Sequence, residues 1–365
     1  MTVEAEGPIW EEPLRGDYPD PRLLALPGLE VMRAFHDGRV LPPNIHHLVG
    51  LSFDAVERGR AVFTMPATGW LLAPQGVVAG STLALLVDGP LGCAGQSMMP
   101  AATPYTTAEM SLSFIRPVTA ESGVLTATGT CVHAGRTVVL TEVDVTDATG
   151  ARVARGGSRL ICLPALPIPP EVLEDLHANP PRPAVREWDT PPPWQRPARG
   201  QTLPRETWDR LGGLDVLRGC IDGSLPAPPV THLIGIRPLS AEEGSCTWTM
   251  PASEWSSAPV PGRMYGGAIA YFAGNTVEGA IMTTIPAGAA MATVDLKVYF
   301  LRPVVPDGRP LTSSGTVVHR GRSVAVATAE VRDADGRLAA LATGSAMVLP
   351  GRPARLASPE DRAEG

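Results

Sequence analysis

The chain has 365 residues, 44% hydrophobic and 18% charged, with a formal net charge of −7. That length suggests two domains with ample material for packed cores. Acidic and basic residues are mixed with no basic block, which argues against a nucleic-acid partner.

The N-terminal extension, residues 1–27, contains prolines and is acidic over Met1–Asp20. It has no basic n-region or apolar h-region, so no secretory signal is expected. No run of 18 uninterrupted apolar residues occurs, so no membrane-spanning helix or membrane partner is expected. Five cysteines, Cys93, Cys131, Cys162, Cys220 and Cys246, include no C-x-x-C pair. They predict neither a disulfide framework nor a zinc site, but small buried residues in a reducing cytoplasm. His46 and His47 are adjacent, but nothing nearby completes a metal set.

A short helical pattern opens the first domain at 28–38, followed by two expected strands, around 46–53 and 60–66. Val77–Ala94 is apolar on all sides and reads as a buried helix. Thr107–Arg116 alternates polar and apolar, and Pro117 ends it. Val124–His133 and Thr137–Val145 form a hairpin pattern around Ala134-Gly135-Arg136, and a last strand spans 151–162. Leu163–Arg205 holds twelve prolines and predicts a linker with no inner strand, and Glu171–His177 as its one short helix. After it the series runs again, with a helical pattern at 206–222 and a buried helix over Met264–Thr283.

The second series is a copy of the first. His47-Leu48-Val49-Gly50 returns as His232-Leu233-Ile234-Gly235, and Thr64-Met65-Pro66-Ala67 as Thr249-Met250-Pro251-Ala252, at an offset of 185. One residue enters near Pro261. The offset is then 186 to the end of the domain, pairing Gly80 with Gly266, Thr107 with Thr293, and Arg116-Pro117-Val118 with Arg302-Pro303-Val304. Chance does not hold one register over some 80 residues. The expected organisation is a first domain over 28–163, a linker over 164–205, a second domain over 206–349 and a C-terminal tail over 350–365. Each domain is α+β, a curved antiparallel sheet wrapped around one buried helix, and the two pack as an intramolecular pseudo-dimer.

Several residues carry a resemblance. They are Tyr265-Gly266-Gly267-Ala268 and Ala79-Gly80-Ser81-Thr82 opening the two buried helices, Ala292–Pro303, His-x-Gly-Arg at His133 and His319, and Asp-x-x-Gly-Arg. On these the sequence resembles the PaaI-type branch of the hotdog acyl-CoA thioesterases, over both copies but not the linker or tails. The resemblance implies hydrolysis of an acyl-CoA or carrier-bound acyl thioester, with no cofactor. In that family the helix opens His-Gly-Gly and bears an Asp or Glu nine residues after the His. Counting nine from Ala79 reaches Asp88, and nine from Tyr265 reaches Gly274. By this resemblance only the first copy keeps the carboxylate, and the His is replaced in both. A TesB-type double hotdog thioesterase shares the tandem layout but would carry its Asp in the second copy.

Thioester hydrolysis needs a carboxylate and donors for the developing oxyanion. A buried helix start supplies the donors. Asp88 lies about 12 Å along its helix from Gly80, at about 1.5 Å per residue, too far for both to touch one carbonyl. The expected site therefore joins Asp88 to Gly266, Gly267 and Tyr265 of the other copy. The reciprocal site, Gly274 with Gly80, is expected to lack its acid. Glu278, one turn past Gly274, is either a relocated acid or an interface polar residue. Thr107 opens a strand where the family places a hydroxyl. His133, Arg136, His319, Arg322 and Arg302 match coenzyme A phosphates, or else are solvated turn residues. Two other readings stay open, a hydratase or dehydratase, and a tailoring or acyl-binding protein of a polyketide-like pathway. A homodimer of double-domain chains is an open expectation.

Overall fold

In the computed structural model, which describes residues 7–182 and 187–352, twelve strands form one antiparallel sheet. The first half contributes β1 (Ser52–Glu57), β2 (Arg60–Pro66), β3 (Tyr105–Phe114), β4 (Val124–Ala134), β5 (Val138–Thr146) and β6 (Arg152–Cys162). The second contributes β7 (Arg237–Glu242), β8 (Ser245–Pro251), β9 (Ala289–Phe300), β10 (Pro310–Arg320), β11 (Val324–Arg332) and β12 (Leu338–Pro350). Their order is β1-β2-β4-β5-β6-β3-β9-β12-β11-β10-β8-β7, the same in each half read outward from the centre. At the centre Ser111 pairs with Lys297, its own counterpart in the repeat, as a twofold axis through that pair requires. Glu109, buried in this seam, pairs with Lys297 Nζ at 2.8 Å.

Each half wraps its sheet around one central helix. The first is Ala84–Gln96, entered through a 3-10 turn at Gly80–Leu83, and the second is Gly266–Met282. Both are apolar nearly all round because the sheet covers one side and the other helix the opposite side. Gly129 of β4 and its counterpart Gly315 of β10 let the helices approach. A Cβ on Gly129 would stand 2.2 Å from the Pro90 carbonyl oxygen, and one on Gly315 2.7 Å from that of Thr276. A single apolar core runs through both halves, from Phe63 and Leu85 to Phe272 and Val331.

One expected strand is a helix. Residues 46–49 lie in Asn44–Val49, and only Ser52–Glu57 is extended. Pro43 precedes the helix and Gly50 ends it at φ 78°. The buried residues Ile45, Leu48 and Val49 have the i, i+3, i+4 spacing of a helix face. The second half repeats this in Pro229–Ile234, closed by Gly235 at φ 81°. His46 is a core aromatic here, edge-on to Phe63, with burial holding its pKa near 3. The linker helix is present, at Pro170–Ala178. The tail expectation falls mainly on residues 353–365, outside the described ones. The five cysteines are unpaired.

The duplication is longer than its domains. Pro8-Ile9-Trp10-Glu11-Glu12-Pro13-Leu14-Arg15-Gly16 returns as Pro192-Pro193-Trp194-Gln195-Arg196-Pro197-Ala198-Arg199-Gly200. Each segment straps the half that does not follow it in sequence. Trp194 abuts Gly50, and Arg196 O accepts from Trp70 Nε1 at 2.8 Å. Trp10 abuts Gly235, and Glu12 O accepts from Trp255 Nε1 at 2.9 Å. The straps meet where Arg196 pairs with Glu12 at 2.6 Å. These two are again counterparts, one position having become a complementary pair after duplication.

Candidate functional site

The two central helices lie side by side and antiparallel, so residues far along one stand at the start of the other. Tyr265, at the cap of the second helix, makes no side-chain cap bond. The first-turn donors are met from the other half, where Asp88 Oδ2 accepts from Gly267 N at 2.9 Å. A side chain at either glycine would crowd this approach, against backbone at Gly267 and against the carboxylate itself at Gly266. A Cβ on Gly266 would stand 2.9 Å from Asp88 Oδ2, and one on Gly267 would stand 2.5 Å from Ala84 O. The structure thus brings together Asp88, Tyr265, Gly266 and Gly267.

Asp88 is partly exposed, at the end of the buried run Leu83–Val87. Desolvation pushes its pKa up to about 6, against the lowering effect of the Gly267 and Gly266 N–H groups. The Tyr265 hydroxyl is buried beside the Gly89 backbone N–H, and no described residue accepts its hydrogen. Burial first, and then the Asp88 charge, raises its pKa well above normal. Two neighbours were not legible beforehand. Tyr105, on the same face of β3 as Thr107, and Cys93, on the helix beyond Asp88, both feel the Asp88 charge. Burial pushes the Cys93 thiol up to about 12 and Tyr105 higher still, so both remain protonated at neutral pH. The outcome is one ionisable acid at a helix start, ringed by protonated hydroxyl and thiol groups.

The reciprocal site was expected to lack an acid, and it has one. Glu278 Oε1 accepts from Ser81 N at 3.0 Å and from Thr293 Oγ1 at 3.0 Å. Its Oε2 accepts from Ser81 Oγ at 2.7 Å. Position 274 itself has no space for a side chain. A Cβ on Gly274 would lie 2.6 Å from Leu296 Cδ2 and 2.7 Å from Ser81 Cβ, which leaves no room for a carboxylate there. The first half shows the converse. Gly92, counterpart of Glu278, would set a Cβ 2.8 Å from Tyr105 Oη. Each site therefore has space for one acid, at a different turn.

Thr107 makes no hydrogen bond to Asp88 among the described residues; its counterpart Thr293 bonds Glu278. His133, Arg136, His319, Arg322 and Arg302 are exposed at hairpin turns or just past β9. His319 borders a shallow groove with Thr284 and Pro286, just past the C-terminal end of the second helix, and Asp88 and Gly267 do not line it. No group of three or more His, Cys, Asp or Glu able to hold a metal occurs among the described residues. No helix among them is long and apolar enough to cross a membrane.

The sequence profile of the thioesterase superfamily matches residues 75–154 and again 261–340, at the 186-residue offset of the repeat. A Saccharolobus solfataricus protein named as a candidate esterase is 28% identical over 123 residues, 34% of this chain and 85% of that protein. Among solved structures, the tesB protein of Mycobacterium avium subs paratuberculosis matches with a TM-score of 0.50 at 14% identity, over 84% of this chain and 98% of that one. A protein of unknown function with a hot dog fold from Alicyclobacillus acidocaldarius also gives 0.50, at 15% identity and with the same coverage. At such identities the likeness establishes the tandem fold.

Proposed function

We propose that this chain, each half of which matches the thioesterase superfamily profile, hydrolyses acyl thioesters at a site shared between the halves, with Asp88 as the acid. The observation that carries this reading is the 2.9 Å approach of Asp88 Oδ2 to Gly267 N. It puts a carboxylate and an oxyanion donor within reach of one carbonyl group. The substrate's carbonyl oxygen takes the place of Oδ2 at the helix start. Asp88 then removes a proton from a water attacking the carbonyl carbon. The Gly266 and Gly267 N–H groups and the positive end of the helix hold the oxyanion. The C–S bond breaks, and the thiolate takes the proton from Asp88. Tyr265 stands where the resembled family has His, and its hydroxyl, whose hydrogen no described residue accepts, donates to the same carbonyl. A pKa near 6 suits this role, since Asp88 is ionised at neutral pH yet more basic than an ordinary carboxylate.

The superfamily's name implies a thioester substrate, and the reading takes it as an acyl group on coenzyme A or on a carrier protein's phosphopantetheine. The test is thiol release from a panel of short, long and aryl acyl-CoAs by wild type and Asp88→Asn. The expected result is turnover that falls about a hundredfold or more in the variant, the usual size of a general-base contribution. Binding of acyl-CoA with no turnover of any panel member would replace hydrolysis with a non-hydrolytic acyl-binding or tailoring role.

A further inference from the structure

The two central helices do not start alike. The second, which meets Asp88, is α-helical from Gly266 onward, whereas the first is entered through the 3-10 turn at Gly80–Leu83. In an α-helical first turn the free N–H groups point along the helix axis and serve one acceptor together. A 3-10 turn winds at three residues per turn and presents them at different angles.

A polar lock stands behind the α-helical start. Asn44, in the first half and only 4% exposed, is bonded through both ends of its amide. Its Oδ1 accepts from Gly16 N at 2.6 Å, and its Nδ2 donates to Glu254 O at 3.2 Å and to Ser257 Oγ at 3.4 Å. The Tyr18 hydroxyl donates to Glu254 Oε2 at 2.5 Å. Gly16 has no room for a side chain, since a Cβ there would stand 2.5 Å from Asn44 N. The first half and its N-terminal extension thus grip both ends of the turn that runs from Glu254 to Ser257 in the second half. Between those grips, Ser256 O accepts from Tyr265 N at 2.8 Å. Tyr265 caps the helix whose Gly267 N–H meets Asp88. The loop between carries the extra residue of this half, and Ser257 bridges to Met264 across its base. At the other helix start the counterparts of Asn44, Glu254 and Ser257 are Pro229, Gly69 and Leu72, which offer no polar side chain. The lock and the α-helical start therefore occur together, at one of the two starts.

Resting on the thioesterase reading, we propose that Asn44 is a positioning residue for the reaction at Asp88. It acts through the turn at Glu254 and the Tyr265 N–H, and holds Gly266 and Gly267 so that both N–H groups aim at one oxygen. Without the amide's bonds the turn is released, and the oxyanion donors move off the substrate's carbonyl. Gly16 and Tyr18 make the N-terminal extension part of the same support. Removing a buried amide also leaves Gly16 N and Glu254 O unmet, so a loss of stability is expected whatever the role and does not test it.

The experiment compares full-length wild type with Asn44→Ala at a temperature where circular dichroism shows both folded. In the variant kcat for acetyl-CoA is expected to fall about tenfold to a hundredfold, as an ångström-scale misplacement does, with KM little changed. The acid limb of kcat/KM is expected to move above 6, because the Gly266 and Gly267 N–H groups that hold the Asp88 pKa down no longer point at it. Tyr105, Cys93 and Tyr265, the other titratable groups around Asp88, stay protonated in both chains and do not shape the limb. Amide hydrogen exchange over residues 257–267, read without substrate, is expected to quicken. An acid limb that stays near 6 overturns the proposal even where the melting temperature falls, and so does unchanged exchange over that segment. Wild type inactive on every acyl-CoA overturns the thioesterase reading instead. If Asn44→Ala does not fold, Ser257→Ala removes one of the amide's contacts and leaves Glu254 O paired. The same shifts at smaller size then support the role, and a wild-type limb or wild-type exchange overturns it.

Discussion

Replacing Asp88 with Asn should stabilise the protein while it destroys activity. Burial raises the Asp88 pKa from 3.8 to about 6. A carboxyl whose folded pKa lies above its unfolded value is held more readily as the neutral acid, so its charge opposes folding. The penalty is absent below the unfolded value, grows as pH rises from about 4 to 6, and is complete above 6. Two units at about 1.4 kcal/mol each set it near 3 kcal/mol, an upper limit for a partly exposed group. Asn keeps an oxygen to accept from Gly267 N but carries no charge. By scanning calorimetry Asp88→Asn should melt several degrees above wild type at pH 8, at about 2–4 °C per kcal/mol. The gap should close toward pH 4. A variant that melts below wild type at pH 8 would show that the carboxylate is a stabilising helix cap, and the reasoning would fail.

Gly266→Ala sets a methyl group 2.9 Å from Asp88 Oδ2. It should cut kcat by about tenfold to a hundredfold, as losing an oxyanion donor's geometry does, with circular dichroism unchanged. Gly92→Ala meets Tyr105 Oη at 2.8 Å and should cost about 1–3 kcal/mol by urea unfolding. Tyr105→Ala in the same chain should recover most of that, and full additivity would argue against the contact. Glu12→Arg faces Arg196 with a like charge at a pair only 24% and 13% exposed. It should cost about 1–3 kcal/mol and be rescued by Arg196→Glu, and no rescue would mean that the strap contact is incidental.

Most of the architecture was legible because it depends on pattern. The register of the duplication, the unbroken apolar run of each central helix and the Pro-bounded strands yield two tandem α+β halves with a shared core. Asn44–Val49 was misread because six residues are too few to separate helix from strand by periodicity. The Pro before it and the αL glycine after it carried the information. The strap motif went unseen because its second copy is hidden in a proline-rich stretch that reads as mere linker.

The site was legible where it rests on spacing along one helix. The distance from Gly80 to Asp88 already demanded a partner from the other half. Glu278 was legible only as one of two alternatives, because what excludes a side chain from position 274 is the packing of Leu296 and Ser81, remote in sequence. Nor did sequence show that Tyr105 fills the space above Gly92. The phosphate-binding expectation rested on residue type, and those basic side chains lie exposed at hairpin turns or just past β9.

The account stands most directly on the ionisation of Asp88, read from kcat/KM for acetyl-CoA thiol release against pH. The prediction is a plateau at neutral pH and an acid limb centred near 6, where the desolvated Asp88 carboxylate titrates, falling about tenfold per pH unit below it. A profile flat to pH 4.5, or a limb at the ordinary carboxylate value near 4, would contradict it.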